Sequence, residues 1–353
     1  MTAAEIDDLR ARLTAVRPVP LPPGHGWHRG VDAEYLADLL AFWARDYDWT
    51  RHEARIQALP WRLVGNARPL RVIYREAASR DAPVLLLLHG WPDSALRFER
   101  LLPLLDDVTL VIPALPGFPF AVPMPEGGLS SAAMAEMVAD AMTDLGHDRY
   151  VVSAGDVGCD VAEALAAGHP HAVSALHLTD VSQYHFLVDP PEDLSPAERA
   201  YVRHGHEWQR QEGGYMYEQS TKPHTLAAAL GESPAGLAAW ILEKLRGWID
   251  GDLESVFSRE ELLTWISAYW FGRCIGTSFT PYAEGGAKPW GRVAAPTAFT
   301  VFPKDLVNAP REFADRYFAV ESWEEPARGG HFAAFEQPDA YARGVRTALS
   351  LAR

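Results

Sequence analysis

Apolar positions along the chain change their period three times, and those changes divide it. Over the first 60 residues the spacing is helical. Ile6, Leu9 and Leu13 recur at the interval that lines one face of a helix. Pro18, Pro20, Pro22 and Pro23 then break the pattern, because proline removes a backbone donor and fixes φ. A second amphipathic stretch covers about 33–45, with Tyr35, Leu36, Leu39, Leu40 and Trp43 apolar. Trp27, Tyr35, Phe42, Trp43, Tyr47 and Trp49 concentrate aromatic surface here. That predicts an arm packed on a body.

From Trp61 the runs become short and β-like, at 61–64, 70–74, 84–88, 109–113, 150–153 and 175–178. Between the last two, a helical segment at 157–167 is closed by Gly168 and Pro170. Alternation of this kind predicts a mostly parallel sheet with helices on both faces. From about 181 to 290 the strand pattern disappears. Ser233-Pro234 opens one apolar helical run, with serine as cap and proline in the first turn. Ser258 to Glu261 forms a capping box ahead of Leu262, Trp265, Ile266 and Tyr269. Strand character returns at 297–302 and near 317–320. The expectation is one split α/β domain: an arm at 1–60, core at 61–180, a helical lid at 181–290 and core again at 291–353.

A chain of 353 residues suits one large domain with an insertion, and 12 Trp, 12 Tyr and 14 Phe supply bulk for its core. The formal charge of -15 disfavours non-specific binding to nucleic acid or anionic lipid, so neither nucleic acid nor a membrane is an expected partner. Cys159 and Cys274 make no disulfide framework and no zinc spacing. The opening MTAAEIDDLR places acids where a signal peptide needs bases, and no apolar run approaches the ~20 residues of a membrane span. A soluble, cytoplasmic protein is expected, and a homo-oligomer is compatible with it.

The stretch VVSAGDVGC at 151–159 has the frame of a nucleophile turn between strand and helix, where small residues flank the nucleophile at minus two and plus two. Ala154 and Gly158 stand there, which puts Asp156 at the centre. Ser153 is a rival nucleophile, but its minus-two neighbour is the bulky Val151. The competing reading of Asp156 is a plain helix cap. His89-Gly90-Trp91-Pro92 follows the apolar run 84–88. A loop at this place lends one N–H to an oxyanion hole and the residue after the nucleophile lends the other, here Trp91 and Val157. Gly329-Gly330-His331 follows the last strand, which gives the order nucleophile, acid, histidine. The acid is Asp305, at a strand end, or Asp180, at another.

Aspartate at this position selects the chemistry. Attack by serine on an sp3 carbon leaves an ether that water cannot cleave, whereas a carboxylate leaves a hydrolysable ester. Epoxides or alkyl halides are therefore the indicated substrates. Halide release calls for donors such as an indole beside the nucleophile, and position 157 is valine. Epoxide opening needs a proton donor, and the lid region holds Tyr215, Tyr217, Tyr269 and Tyr282.

Together these motifs resemble the microsomal-type epoxide hydrolases, including their soluble bacterial members. The resemblance spans nearly the whole chain: Gly26-Trp27 and Tyr47-Asp48-Trp49 in the arm, HGWPDS at 89–94, LPGF at 115–118, AGDVG at 154–158, GGYMYEQSTKPHTLAAAL at 213–230, SPAGLAAWILEKLRGW at 233–248 and RGGHFAAFEQP at 328–338. It implies an α/β-hydrolase fold with helical lid and N-terminal arm, and an enzyme that turns a hydrophobic epoxide and water into a vicinal diol. It implies Asp156 as nucleophile, His331 as general base, Asp305 as charge-relay acid and Tyr215 and Tyr282 as donors to the epoxide oxygen. Trp91 and Val157 would form the oxyanion hole. No cofactor or metal is implied, and detoxification and secondary metabolism both fit.

Two departures stand out. Val157 replaces a tryptophan usual in the family, which spares the backbone N–H but shrinks the pocket wall. Gly117-Phe118-Pro119-Phe120-Ala121 carries proline and alanine where the family tends to glycine and serine. The alternatives are a haloalkane-type dehalogenase or other α/β hydrolase, and an inactive hydrolase fold that binds ligands.

Overall fold

Eight strands share one sheet in the computed structural model, which describes residues 1–65, 68–124 and 128–352. They are β1 (Trp61–Val64), β2 (Leu70–Arg75), β3 (Val84–Leu88), β4 (Thr109–Pro113), β5 (Tyr150–Ala154), β6 (Val173–Leu178), β7 (Val293–Thr300) and β8 (Phe318–Glu324). Their spatial order is β1-β2-β4-β3-β5-β6-β7-β8. Only β2 runs against its neighbours; every pairing from β4 to β8 is parallel.

Strand β3, Val84-Leu85-Leu86-Leu87-Leu88, explains the layering. Successive side chains on a strand point to opposite faces. Leu85 and Leu87 pack with Tyr341, Val345 and Ala348 in one apolar cluster, and Leu86 and Leu88 join Met134, Val161 and Leu165 in another. A sheet covered on both faces reads as continuous apolar runs, which is why β3, β4 and β5 show no alternation.

The arm comprises α1 (Ala3–Thr14), α2 (Ala33–Arg45) and α3 (Trp49–Gln57). Thr2 and Glu5 form a capping box at α1, and the Asp32 carboxylate caps α2. On the sheet lie α4 (Ser131–Asp144) and α5 (Val157–Gly168). Between β6 and β7 comes a helical block: α6 (Tyr184–Leu187), α7 (Pro196–Glu212), α8 (Gly214–Thr221), α9 (Pro223–Glu232), α10 (Pro234–Gly247), α11 (Leu253–Val256), α12 (Arg259–Gly272) and α13 (Thr280–Ala283). The chain finishes with α14 (Arg311–Tyr317), α15 (Ala333–Glu336) and α16 (Pro338–Leu351). Among the described residues no single helix is long and apolar enough to cross a membrane.

The arm grips the helical block more than the sheet. Trp49 stacks on Phe271 of α12 at 5.1 Å, and the Tyr47 hydroxyl lies 3.0 Å from the Thr264 hydroxyl on the same helix. Two strand limits differ from the sequence expectation. β7 begins at Val293 and ends before Phe302, and β8 extends to Glu324. The ladder between them runs from Val293 opposite Phe318 to Thr300 opposite Glu324. Edge strands tolerate charged residues such as Glu321 and Glu324, so hydropathy understates their length.

One close approach ties α5 to the end of β3. A Cβ on Gly158 would lie 2.5 Å from the Leu88 carbonyl oxygen and 2.8 Å from that of His89, so helix and strand must separate to admit it. Gly158→Ala is expected to lower unfolding free energy by about 1–3 kcal/mol in urea denaturation. Unchanged stability would show that α5 shifts freely.

Candidate active site

Strand β5 ends at Ala154 and α5 starts at Val157, which leaves Gly155 and Asp156 to turn the chain. Asp156 takes φ 57° and ψ -134°, a conformation that a residue with a Cβ adopts only under strain. It stands at the N-cap position but makes no side-chain cap bond, so the helix-cap alternative is not realised. The turn instead throws the carboxylate toward the loop after β3. There Trp91 N–H donates to Asp156 Oδ1 at 2.8 Å, and the adjacent Val157 N–H also favours the ionised carboxylate. A Cβ on Gly90 would collide with this carboxyl, so the glycine of His89-Gly90-Trp91 makes the approach possible.

The rival Ser153 is enclosed in the sheet. Its hydroxyl lies 2.8 Å from His177 Nδ1 and donates to Tyr341 at 2.9 Å. Burial pushes His177 down to about 3, so this imidazole stays neutral, and neither residue borders the small cavity beside Asp156.

His331 arrives from the loop between β8 and α15. Its Nδ1 is 2.7 Å from Asp305 Oδ1, and its Nε2 is 3.3 Å from Asp156 Oδ2. The second contact is an ion-pair distance without hydrogen-bond alignment, which leaves Nε2 directed at the site. Asp180 does not take the place beside the imidazole; its Oδ2 accepts the Asp156 N–H at 3.0 Å. The His331 N–H donates to the Trp248 carbonyl at 2.8 Å. A Cβ on Gly330 would meet that same carbonyl oxygen at 2.5 Å, so the double glycine lets the loop pass under α10.

Tyr215 and Tyr282 come from the helical block, on α8 and α13. The Tyr215 ring stacks on the Trp91 indole at 5.4 Å and 7°, and Tyr282 meets both edge-on at 5.9 and 6.0 Å. The other two tyrosines singled out in the sequence lie elsewhere in function. Tyr269 donates its hydroxyl proton to the Asp93 carbonyl at 3.0 Å, and Tyr217 is exposed. Asp156, Asp180, Tyr184, Tyr215, Tyr282 and Asp305 border a small cavity of about 70 Å³.

Several supporting residues escaped sequence reasoning. Arg97 and Asp93 are fully buried and joined at 2.6 Å. Asp93 Oδ1 accepts the Gly90 N–H at 2.9 Å, while Arg97 donates to the His331 carbonyl at 2.5 Å. The pair thus connects the loop carrying Trp91 to the loop carrying His331. Asp93 and Arg97 sit at i,i+4 spacing, which hinted at an ion pair but gave no sign of burial. Glu336 accepts from the N–H groups of Asp250, Gly330 and Phe332 and so shapes the histidine loop.

Charge in this enclosed space is strongly coupled. Burial pushes the Asp156 carboxyl up, but His331 and the N–H groups of Trp91 and Val157 outweigh it, and the net direction is down. Burial pushes His331 down, yet the carboxylates of Asp305 and Asp156 raise it to about 10. Asp180 is raised to about 7 by burial and by the neighbouring Asp305 charge. Burial and the Asp156 charge push the phenols of Tyr215 and Tyr282 well above their ordinary range. These directions favour, near neutral pH, an ionised Asp156 against a protonated His331 and two neutral phenols.

The whole chain has known relatives. Residues 1–98 match a family described as epoxide hydrolase N terminus, and 83–222 match the alpha/beta hydrolase fold. The chain is 35% identical to a putative epoxide hydrolase from Stigmatella aurantiaca, over 97% of this chain and 81% of that one. It is 29% identical to epoxide hydrolase 1 of Sus scrofa, over 98% and 86%. The solved Aspergillus niger epoxide hydrolase superposes with a TM-score of 0.89 at 27% identity, covering 100% of this chain and 95% of that one. Juvenile hormone epoxide hydrolase from Bombyx mori gives 0.90 at 25%, covering 100% and 93%. An arm-bearing α/β-hydrolase fold is thus matched along its whole length, and the chain belongs to the epoxide hydrolase family.

Proposed function

We propose that this protein hydrolyses a hydrophobic epoxide to a vicinal diol through an ester on Asp156. The observation that carries the reading is the Asp156 carboxylate, held at 2.8 Å by the Trp91 N–H and at 3.3 Å from His331 Nε2, below the phenols of Tyr215 and Tyr282. The helical block of 181–290 acts as the lid that supplies those phenols, and the arm of 1–60 holds it in place. The substrates are the epoxide and water.

In the first half-reaction an Asp156 oxygen forms a bond to a ring carbon as the carbon–oxygen bond breaks. The electron pair on the released oxygen takes the proton of a tyrosine phenol, and a phenolate remains. In the second, water attacks the ester carbonyl carbon while His331 takes its proton. The Trp91 and Val157 N–H groups bind the oxyanion that develops on the Asp156 carboxyl. Collapse expels the diol oxygen, which takes the proton back from His331. The freed Asp156 carboxyl then returns the last proton to the phenolate. Epoxide and water are consumed and every side chain is restored.

The charge pattern makes the two halves sequential. A protonated His331 cannot act as base, but it holds Asp156 ionised for attack. Ester formation removes the Asp156 charge, and with it part of what keeps His331 protonated. The imidazolium then gives its proton to solvent water at the stage where a base is needed, and takes one back from solvent once Asp156 is ionised again.

Two measurements test this reading. A single turnover in 18O-labelled water, followed by mass analysis of the Asp156 peptide, is expected to place label in that carboxylate; diol formed without label would sink the covalent route. Asp156→Ala is expected to abolish turnover, and His331→Gln to accumulate the ester. Separately, the raised His331 contributes stability that is complete below its ordinary value of 6.5 and is lost as pH rises through about 10. Thermal stability is therefore expected to decline across that window. In Asp156→Asn the His331 resonance should titrate well below 10; an unchanged titration would show that Asp156 does not support the imidazolium.

A further inference from the structure

Lys244 is a buried cation that the scheme above leaves unused. It lies on α10 between the apolar Leu242 and Leu245, with 6% of its surface exposed. Its ammonium Nζ is 4.8 Å from the centre of the Tyr215 ring and 5.8 Å from that of Trp248. Glu243 Oε2 lies 2.5 Å from the same nitrogen. An apolar residue would fill this place without the cost of taking an ammonium out of water, so the charge calls for a use.

Its neighbours suggest one. Tyr215 stacks on Trp91, whose N–H binds Asp156. Trp248 packs edge-on to His331 at 5.1 Å and accepts its N–H. The charged and titratable groups that face Tyr215 are Asp156, Tyr184, Tyr282, Glu243 and Lys244. Asp156 and Glu243 are anions and oppose loss of the phenolic proton. Tyr184 and Tyr282 are neutral phenols. Lys244 supplies the positive charge within cation–π reach of this ring. A cation against an aromatic face draws on its electron density, and its benefit grows when the ring becomes a phenolate.

We propose that Lys244 is a positioning residue for epoxide opening, whose ammonium against the Tyr215 ring favours transfer of the phenolic proton to the oxygen released from the ring. This rests on the function proposed above. The bond formed is from Asp156 to carbon, the bond broken is the epoxide carbon–oxygen bond, and the phenolic proton moves to the freed oxygen. Lys244 offsets the phenolate charge until hydrolysis of the ester returns that proton. Its effect is confined to the first half-reaction, because the second uses His331 and water.

The test separates the two halves with styrene oxide in single turnover. Lys244→Met is expected to slow ester formation about tenfold, the scale of a desolvated cation–π contact, and to change ester hydrolysis less than about twofold. Lys244→Arg should restore most of the lost rate. In a Tyr215→Phe background, Lys244→Met should have little further effect. Equal losses in both halves, an undiminished loss in the Tyr215→Phe background, or no rescue by arginine would overturn the proposal. A second readout needs no turnover: 3,5-difluorotyrosine placed at position 215 and titrated by fluorine NMR. Its ionisation should move to higher pH in Lys244→Met and return in Lys244→Arg; no movement refutes the proposal. Absence of any Asp156 ester in the wild-type protein would refute the epoxide reading instead, and the fluorine titration would still decide whether Lys244 governs the phenol.

Discussion

A carboxylate anion held out of water at a strained turn is the constraint on which the rest of this molecule depends. Removing such a charge from solvent is costly unless it is paired and hydrogen-bonded. Here the compensation comes from the Trp91 and Val157 N–H groups and the His331 imidazole. Each donor needs close backbone approach, and glycines supply it. Gly90 clears the carboxyl, Gly158 lets α5 sit against β3, and Gly330 lets the histidine loop pass beneath α10. The strained φ of Asp156 is held from below by Asp180, which accepts its N–H.

A second buried charge pair keeps these parts in register. Asp93 fixes the Gly90 N–H while Arg97 fixes the His331 carbonyl. The loop after β3 and the loop after β8 enter the site from different strands, more than 200 positions apart in sequence. A rigid link between them fixes the distance from the Asp156 carboxylate to the imidazole, and loss of either partner would leave an uncompensated buried charge. Removing Asp93 or Arg97 would therefore disturb both ends of the site together.

The helical block completes the enclosure. Tyr215, Tyr282, Trp248 and Phe279 surround the Trp91 indole, so the residue that binds the Asp156 carboxylate through its backbone also anchors the helical block through its ring. The arm then braces that block through Trp49 on Phe271 and Tyr47 on Thr264. The coupling gives a physical use to an arm that contributes no residue to the cavity.

How much of this was readable in the chain follows from the range of each interaction. Local signals were sufficient for the strands β3, β4 and β5, the capping box at Ser258, the small residues around Asp156 and the double glycine before His331, because short-range sterics and hydropathy act through neighbouring residues. The order of motifs along the chain narrowed the acid to Asp305 or Asp180. The resemblance to the family favoured Asp305, and the tertiary structure shows that Asp305 meets the imidazole while Asp180 binds the Asp156 N–H. The burial of Arg97, Asp93 and Lys244 was hidden: a charged residue in a sequence looks solvated until the fold encloses it. Chain chemistry by itself determined the α/β frame and the strand-to-helix turn that carries Asp156, because these depend on local geometry. The three-dimensional packing decided the electrostatics, because the energy of a charge depends on what surrounds it and not on what precedes it.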